Sequence, residues 1–219
     1  MSLIQRKSRP LTRDTVSLRD DRLFIVACDD TYAPKQYFDF FRITRVQIHV
    51  VPTVDGTSAA EHVLGRLLEF EHEPDDERWM LLDTDHCTEG THLQSFLSAI
   101  REAKRQGVEV ALSKPCFELW LLLHHLPENE IVSLSNARSV EEALRARLGQ
   151  YNKTKLKREH YPIASVSAAC IRAAKLDEAA AGSDLPDSNV SRVYRLWRAI
   201  AAKALPSQFS AELKGLLPS

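Results

Sequence analysis

Two short acidic stretches hold the residues best suited to chemistry. In Trp79-Met80-Leu81-Leu82-Asp83-Thr84-Asp85-His86, an apolar run stops abruptly at two aspartates. Leu23-Phe24-Ile25-Val26-Ala27-Cys28 stops in the same way at Asp29-Asp30. If the chain stays extended, the i, i+2 spacing puts the Asp83 and Asp85 side chains on one side. Neighbouring carboxylates repel each other and are tolerated where a cation neutralises them. Mg²⁺ takes oxygen ligands of this kind, usually one or two carboxylates completed by waters and substrate phosphates. The chemistry suggested is a divalent-metal site on Asp83 and Asp85, filled by Mg²⁺ or Mn²⁺. A solvated acidic turn after a strand accounts for the same Asp-x-Asp and is the commoner case.

These groups need a scaffold. Leu23–Cys28 is apolar throughout, as expected of a strand buried on both faces of a parallel sheet. Pro34 suits a helix start, and Tyr37, Phe38, Phe41 and Ile43 give that helix an apolar face through residue 43. Val46–Val51 reads as a second strand closed by Pro52. Ser58 with Glu61 reads as a capping box for the next helix. The strand Arg78–Leu82 follows the turn at Pro74, and 86–91 reads as a polar loop. A helix over about 93–106 ends at Gly107, and Val108–Leu112 is a fourth strand. Alternating strands and helices predict an α/β domain with a four-stranded parallel sheet flanked by helices. A strand order of 2-1-3-4 puts the topological switch point, where such sheets bind ligands, between the first and third strands.

Ser113–His125 follows, with Pro115 at a plausible first helical position. Glu118 stands among Phe117, Leu119 and Trp120, where a carboxylate is costly unless it is paired or lies on an exposed stripe. It reads either as part of the site or as the one polar position of an amphipathic helix. Beyond Pro127 the chain turns Ala-, Arg- and Leu-rich, with helices near 140–148, 165–181 and 191–205. The expected organisation is a basic arm at 1–21, an α/β domain at 22–126 and a mostly helical extension at 127–219. Lys114, Lys153, Lys155, Lys157, Arg158, Arg192 and Arg195 are candidate phosphate contacts. Solvated helix surface is the plainer reading of such charge runs.

Composition narrows the classes. The formal net charge is −1 over 219 residues, so any attraction for a polyanion must be local. Four cysteines without metal-ligand spacing suit a reducing cytosol. No apolar run approaches the length of a membrane span, and the N-terminus lacks a signal-peptide core. A cytoplasmic protein is expected. No Gly-rich phosphate loop of the GxxxxGK[ST] type is present, which weighs against a nucleotide hydrolase.

Three segments together resemble the RloB-like family, prokaryotic proteins tied to phage defence and restriction loci and similar to the Toprim catalytic fold. Ser113-Lys114-Pro115-Cys116-Phe117-Glu118-Leu119-Trp120-Leu121-Leu122-Leu123-His124 matches the family's S-N-P-C-F-E-L-W-L-L-L-H. Leu82-Asp83-Thr84-Asp85 stands at its F-D-x-D. Pro186, Asn189, Val193, Tyr194 and Leu196 resemble its C-terminal motif, and Tyr151 with Lys153 its Y-x-K. The resemblance implies a metal-dependent nuclease with Asp29, Asp83, Asp85 and Glu118 as catalytic groups, and with Asp29 and Asp30 added to the metal ligands. It also implies nucleic acid and a partner ATPase as partners, and a second copy of the chain is a further candidate. The first motif departs from the family. Where C-E-G-E-x-T-E is usual, this chain reads Cys28-Asp29-Asp30-Thr31-Tyr32-Ala33-Pro34, so the first glutamate becomes the shorter Asp29. A catalytic group misplaced by about 1 Å loses on the order of a hundredfold in rate. A catalytically impaired module that binds nucleic acid or a partner protein is therefore the alternative.

Overall fold

The computed structural model of the chain describes residues 21–30, 32–53, 57–85, 90–180 and 184–204, with Leu213 and Leu216. Residues 1–20 of the expected arm, Thr31, and residues 86–89 of the expected polar loop lie outside the described residues, and Gly90 and Thr91 of that loop belong to a helix.

Four parallel strands, β1 (Arg22–Cys28), β2 (Val46–Val51), β3 (Glu77–Asp83) and β4 (Glu109–Lys114), form where the apolar runs predict them. The sheet has five strands, not the expected four. Val190–Ser191 adds β5 antiparallel to the end of β4, and the order is β2-β1-β3-β4-β5. The C-terminal region thus supplies one edge of the sheet itself.

Because strand side chains alternate between faces, β1 splits its apolar residues between two cores. Phe24, Val26 and Cys28 face α1 (Ala33–Asp39) and the later helices. Leu23, Ile25 and Ala27 face α2 (Ala60–Glu69) and α3 (Gly90–Arg105). The later helices are α4 (Glu118–Leu123), α5 (Glu128–Ile131), α6 (Ala137–Leu148), α7 (Ile163–Ala179) and α8 (Val193–Lys203). Leu119 to Leu123 of α4 are all buried at the centre of the first core. Among the described residues, no helix is long and apolar enough to cross a membrane.

Three local expectations change. The first helix stops at Asp39, so Phe41 and Ile43 pack from the following turn. The second is capped at Ala59 without a side-chain bond. Glu61, the expected partner of Ser58, instead accepts a hydrogen bond from Ser95 of α3. Pro115 lies before α4, after a cis Lys114-Pro115 bond. Its carbonyl accepts the N–H groups of Thr84 and Asp85 at 3.1 Å, so it is not used in a first helical turn.

A buried chain of hydrogen bonds ties α1 to α4, α7 and α8. The Trp197 indole donates to the Tyr37 hydroxyl at 3.1 Å, and that hydroxyl lies 3.0 Å from His124 Nε2. His124 Nδ1 lies 2.7 Å from Ser165 Oγ, which donates to the Pro162 carbonyl. With the serine proton committed to Pro162, His124 donates through Nδ1 and accepts from Tyr37 through Nε2, as neutral imidazole does. Burial holds the His124 pKa down to about 3, with the charges of His125 and Arg172 adding to the effect. Burial, then the charges of Arg147, His160 and Arg172, hold His125 to about 4. Both values lie below the unfolded value of about 6.5. Their contribution to stability is therefore present above pH 6.5 and is lost as pH falls towards the folded values. The expected result is a melting temperature that falls between pH 7 and pH 5 and falls less in His124→Gln. An equal fall in both proteins would remove His124 as a cause.

Candidate active site

The two acidic stretches meet. Asp29 follows the end of β1, and Asp83 is the last residue of the neighbouring parallel strand β3. The Asp83 N–H donates to Asp29 Oδ2 at 2.6 Å, and the Asp30 N–H donates to Asp29 Oδ1 at 2.8 Å. Asp30 Oδ1 accepts the Tyr32 N–H at 2.9 Å. The Phe117 backbone N–H, at the N-cap of α4, acts on the Asp83 carboxylate and lowers its pKa, against the effect of burial. The Thr84 and Asp85 N–H groups are pinned to the Ser113 and Pro115 carbonyls. The crevice is therefore walled by the start of the most family-like segment, Ser113–Glu118. Asp85 is exposed at its mouth, and its charge reaches both Asp29 and Asp83.

Glu118 completes the acidic set. Its Oε1 accepts the Tyr151 hydroxyl at 2.8 Å, so it has the polar partner that its apolar surroundings require. Tyr151 opens a loop that lies against the crevice. Gln36 of α1 clamps this loop, donating to the Lys153 carbonyl at 2.8 Å and accepting the Leu156 N–H at 2.9 Å. The clamp brings Lys153 Nζ to 3.8 Å from Asp30 Oδ2. Arg66 of α2 reaches the other side, donating to the Cys28 carbonyl at 3.1 Å and the Thr57 carbonyl at 2.9 Å. Neither Gln36 nor Arg66 carries any local sequence mark, because each acts on a segment far away in the chain.

The electrostatics oppose so much negative charge. Burial pushes Asp29 up to about 6, and the charges of Asp30 and Asp85 add to this, although two backbone N–H groups pull it back. Asp83 is also raised, first by burial, then by the charges of Asp29 and Glu118. Buried Cys28 has its thiol raised by burial and by the same carboxylates, which makes it an apolar filler rather than a nucleophile. Cys116 and Cys170 are likewise buried and free.

The donor set is hard oxygen throughout, which suits Mg²⁺ or Mn²⁺. Among the described residues, no three His, Cys, Asp or Glu side chains are drawn together as a ready-made cage. Mg²⁺ does not require one, since one or two carboxylates with waters suffice. The raised Asp29 and Asp83 are the groups a cation would relieve. In donor chemistry the residues fit the ion.

The expected basic surface divides. Lys153, Lys155, Lys157 and Arg158 are exposed on the loop beside the crevice. Arg192 is buried at 4% exposure, and its Nε donates to Asp177 Oδ1 at 3.0 Å. Arg195 is partly exposed but donates to the same carboxylate at 2.6 Å. Lys114 donates to the Pro186 carbonyl at 2.8 Å. These three are engaged within the fold.

A model of the RloB-like protein family matches residues 24–200, most of the chain. The chain belongs to the RloB-like family. The matched span takes in both acidic strand ends, the Ser113–His124 segment, Tyr151, Lys153 and most of α8. No curated protein and no solved structure matches the chain at a significant level.

A titration separates the carboxylates from the histidines. Asp29, raised to about 6 from an unfolded value of about 3.9, contributes stability fully present below about pH 3.9 and lost as pH rises through about 6. A bound divalent ion reverses this by favouring the ionised form, and protons compete with it. The increase in melting temperature on adding Mg²⁺ should therefore be larger at pH 7.5 than at pH 5. An increment independent of pH would place the ion elsewhere.

Proposed function

We propose that this chain is a Mg²⁺-dependent phosphodiester hydrolase of the Toprim type, acting on nucleic acid as an effector in prokaryotic phage defence. The observation that carries this reading is the meeting of Asp29 and Asp83 at the carboxyl ends of adjacent parallel strands. This is the point where the strand order reverses and α/β sheets bind ligands. Asp83 and Asp85, with Asp29 and Asp30 beside them, would hold Mg²⁺ or Mn²⁺. A divalent ion held by these carboxylates would supply the positive charge that neutralises phosphoryl oxygens. Asp29 would take a proton from the attacking water, whose oxygen bonds to phosphorus as the bond to the leaving strand breaks and the leaving oxygen takes up a proton from solvent. Glu118, held by Tyr151, sits within electrostatic reach of Asp83 and helps set its charge. The defence role and a partner ATPase rest on the family resemblance.

One observation favours a second reading, a binding module with impaired catalysis. Asp29 is a methylene shorter than the family's glutamate, and both of its oxygens already accept backbone N–H groups. Incubating the purified protein with Mg²⁺ or Mn²⁺ on plasmid, single-stranded DNA and tRNA separates the two. Cleavage that is lost on chelation supports the hydrolase. Binding without cleavage supports the module.

The loop cations give a further prediction under either reading. Replacing Lys153, Lys155 and Lys157 together by alanine should weaken oligonucleotide binding and flatten its salt dependence. The log–log slope should drop by about 0.7 to 0.9 for each phosphate no longer neutralised. The fold should hold, since exposed charges contribute little to stability. Unchanged affinity at low salt would make this stretch ordinary solvated surface.

A further inference from the structure

Behind Tyr151 lies a cavity of about 230 Å³. Leu148, Tyr151, His160, Tyr161, Lys155 and Lys157 are among the residues that line it. It shares a wall with the acidic crevice, because the Tyr151 phenol that helps line the cavity also donates to Glu118. The charge of Glu118 is felt at Tyr161 as well, and that of Asp30 at Tyr151. The Tyr161 hydroxyl is buried and has no hydrogen-bond partner among the described residues, which is costly for a buried polar group.

We infer that this cavity receives one unpaired base of a nucleic-acid strand whose backbone crosses the crevice. The inference rests on the reading of the crevice as a nucleic-acid site. Three features point to a base. Aromatic and aliphatic walls suit a flat ring, since any base can stack on an aromatic face. The cations around the cavity suit the phosphates attached to that ring. The volume lies below the roughly 300–1,000 Å³ of ordinary ligand pockets, which leaves room for a base but not for a whole nucleotide. A base in a duplex cannot enter without leaving its stack, so the preferred substrate is single-stranded.

The test uses the full chain and short single-stranded oligonucleotides carrying 2-aminopurine at successive positions. Binding is read by anisotropy, and access to the probe by acrylamide quenching. In the parent protein, one position should become protected from acrylamide on binding. Leu148→Trp, which fills the cavity from the last turn of α6, should lose that protection and bind about tenfold more weakly, the scale of one base–aromatic stack. Tight binding with no protected position in the parent overturns the cavity while leaving the nucleic-acid reading standing. Equal affinity for duplex and single strand also overturns the cavity. Absence of any oligonucleotide binding at low salt overturns both.

Discussion

On the hydrolase reading, Asp83→Asn should sharply reduce metal-dependent cleavage while making the metal-free protein more stable at pH 8. Both effects follow from the charge crowding at the ends of β1 and β3. Asp83 is raised by burial and by the charges of Asp29 and Glu118, so its ionised form is held against repulsion in the fold. Asparagine removes that charge and keeps one side-chain oxygen. The Asp83 backbone N–H that Asp29 accepts is untouched. Relief of repulsion should raise the melting temperature by about 2–4 °C for each kcal/mol recovered. Cleavage should fall on the order of a hundredfold or more, because metal stabilisation of a phosphoryl transition state is worth several kcal/mol. The Mg²⁺-dependent rise in melting temperature should vanish as well. Asp29→Asn is a poorer probe, since its amide group would face one of two N–H donors. A less stable Asp83→Asn with full Mg²⁺ response would remove Asp83 from the site. Stability gained as function is lost is the usual mark of an active-site charge.

Asp177→Ala should give the largest loss of stability. Asp177 of α7 is buried at 3% exposure and gathers Arg192, Tyr194 and Arg195 onto one carboxylate. Burial alone would raise its pKa, but the hydrogen bonds from Tyr194 and Arg192 outweigh this and hold it below the usual range. Alanine strips the carboxylate from a buried arginine, which costs about 3–5 kcal/mol. At about 2–4 °C per kcal/mol, the melting temperature should fall by about 10 °C. Arg192 directly follows β5, and its N–H donates to the Leu112 carbonyl at 2.7 Å. The damage should therefore reach β4 and the Ser113–Pro115 wall of the crevice. Hydrogen exchange at Val190–Arg192 would register it. The double variant Asp177→Leu/Arg192→Met should recover much of the loss, since an apolar pair avoids leaving a charge behind. A melting temperature within about 2 °C of the parent for Asp177→Ala would show that the remaining contacts of Arg192 hold it without Asp177.

The order of the elements and the place of the acidic residues were legible in the chain itself. Leu23–Cys28 and Trp79–Leu82 are apolar runs ended by aspartates, and such runs become buried parallel strands because both faces are covered. Once β1 and β3 are neighbours, Asp29 and Asp83 must end side by side. Glu118 was legible as a carboxylate needing a partner, but Tyr151 as that partner was not, being 33 residues away. Only the tertiary structure decided β5, whose two residues are too few to show a period. It also decided the fate of Arg192 and Arg195. Their charge made them candidate phosphate contacts, yet residue type says nothing about which element packs against them. Asp177, fifteen residues before Arg192, draws both onto one carboxylate. The loop at Lys153 differs again: its charge was visible in the sequence, but its position beside Asp30 depends on Gln36, 117 residues away. Periodicity records which face of an element is apolar, whereas the partners of its polar groups are chosen by packing between distant segments.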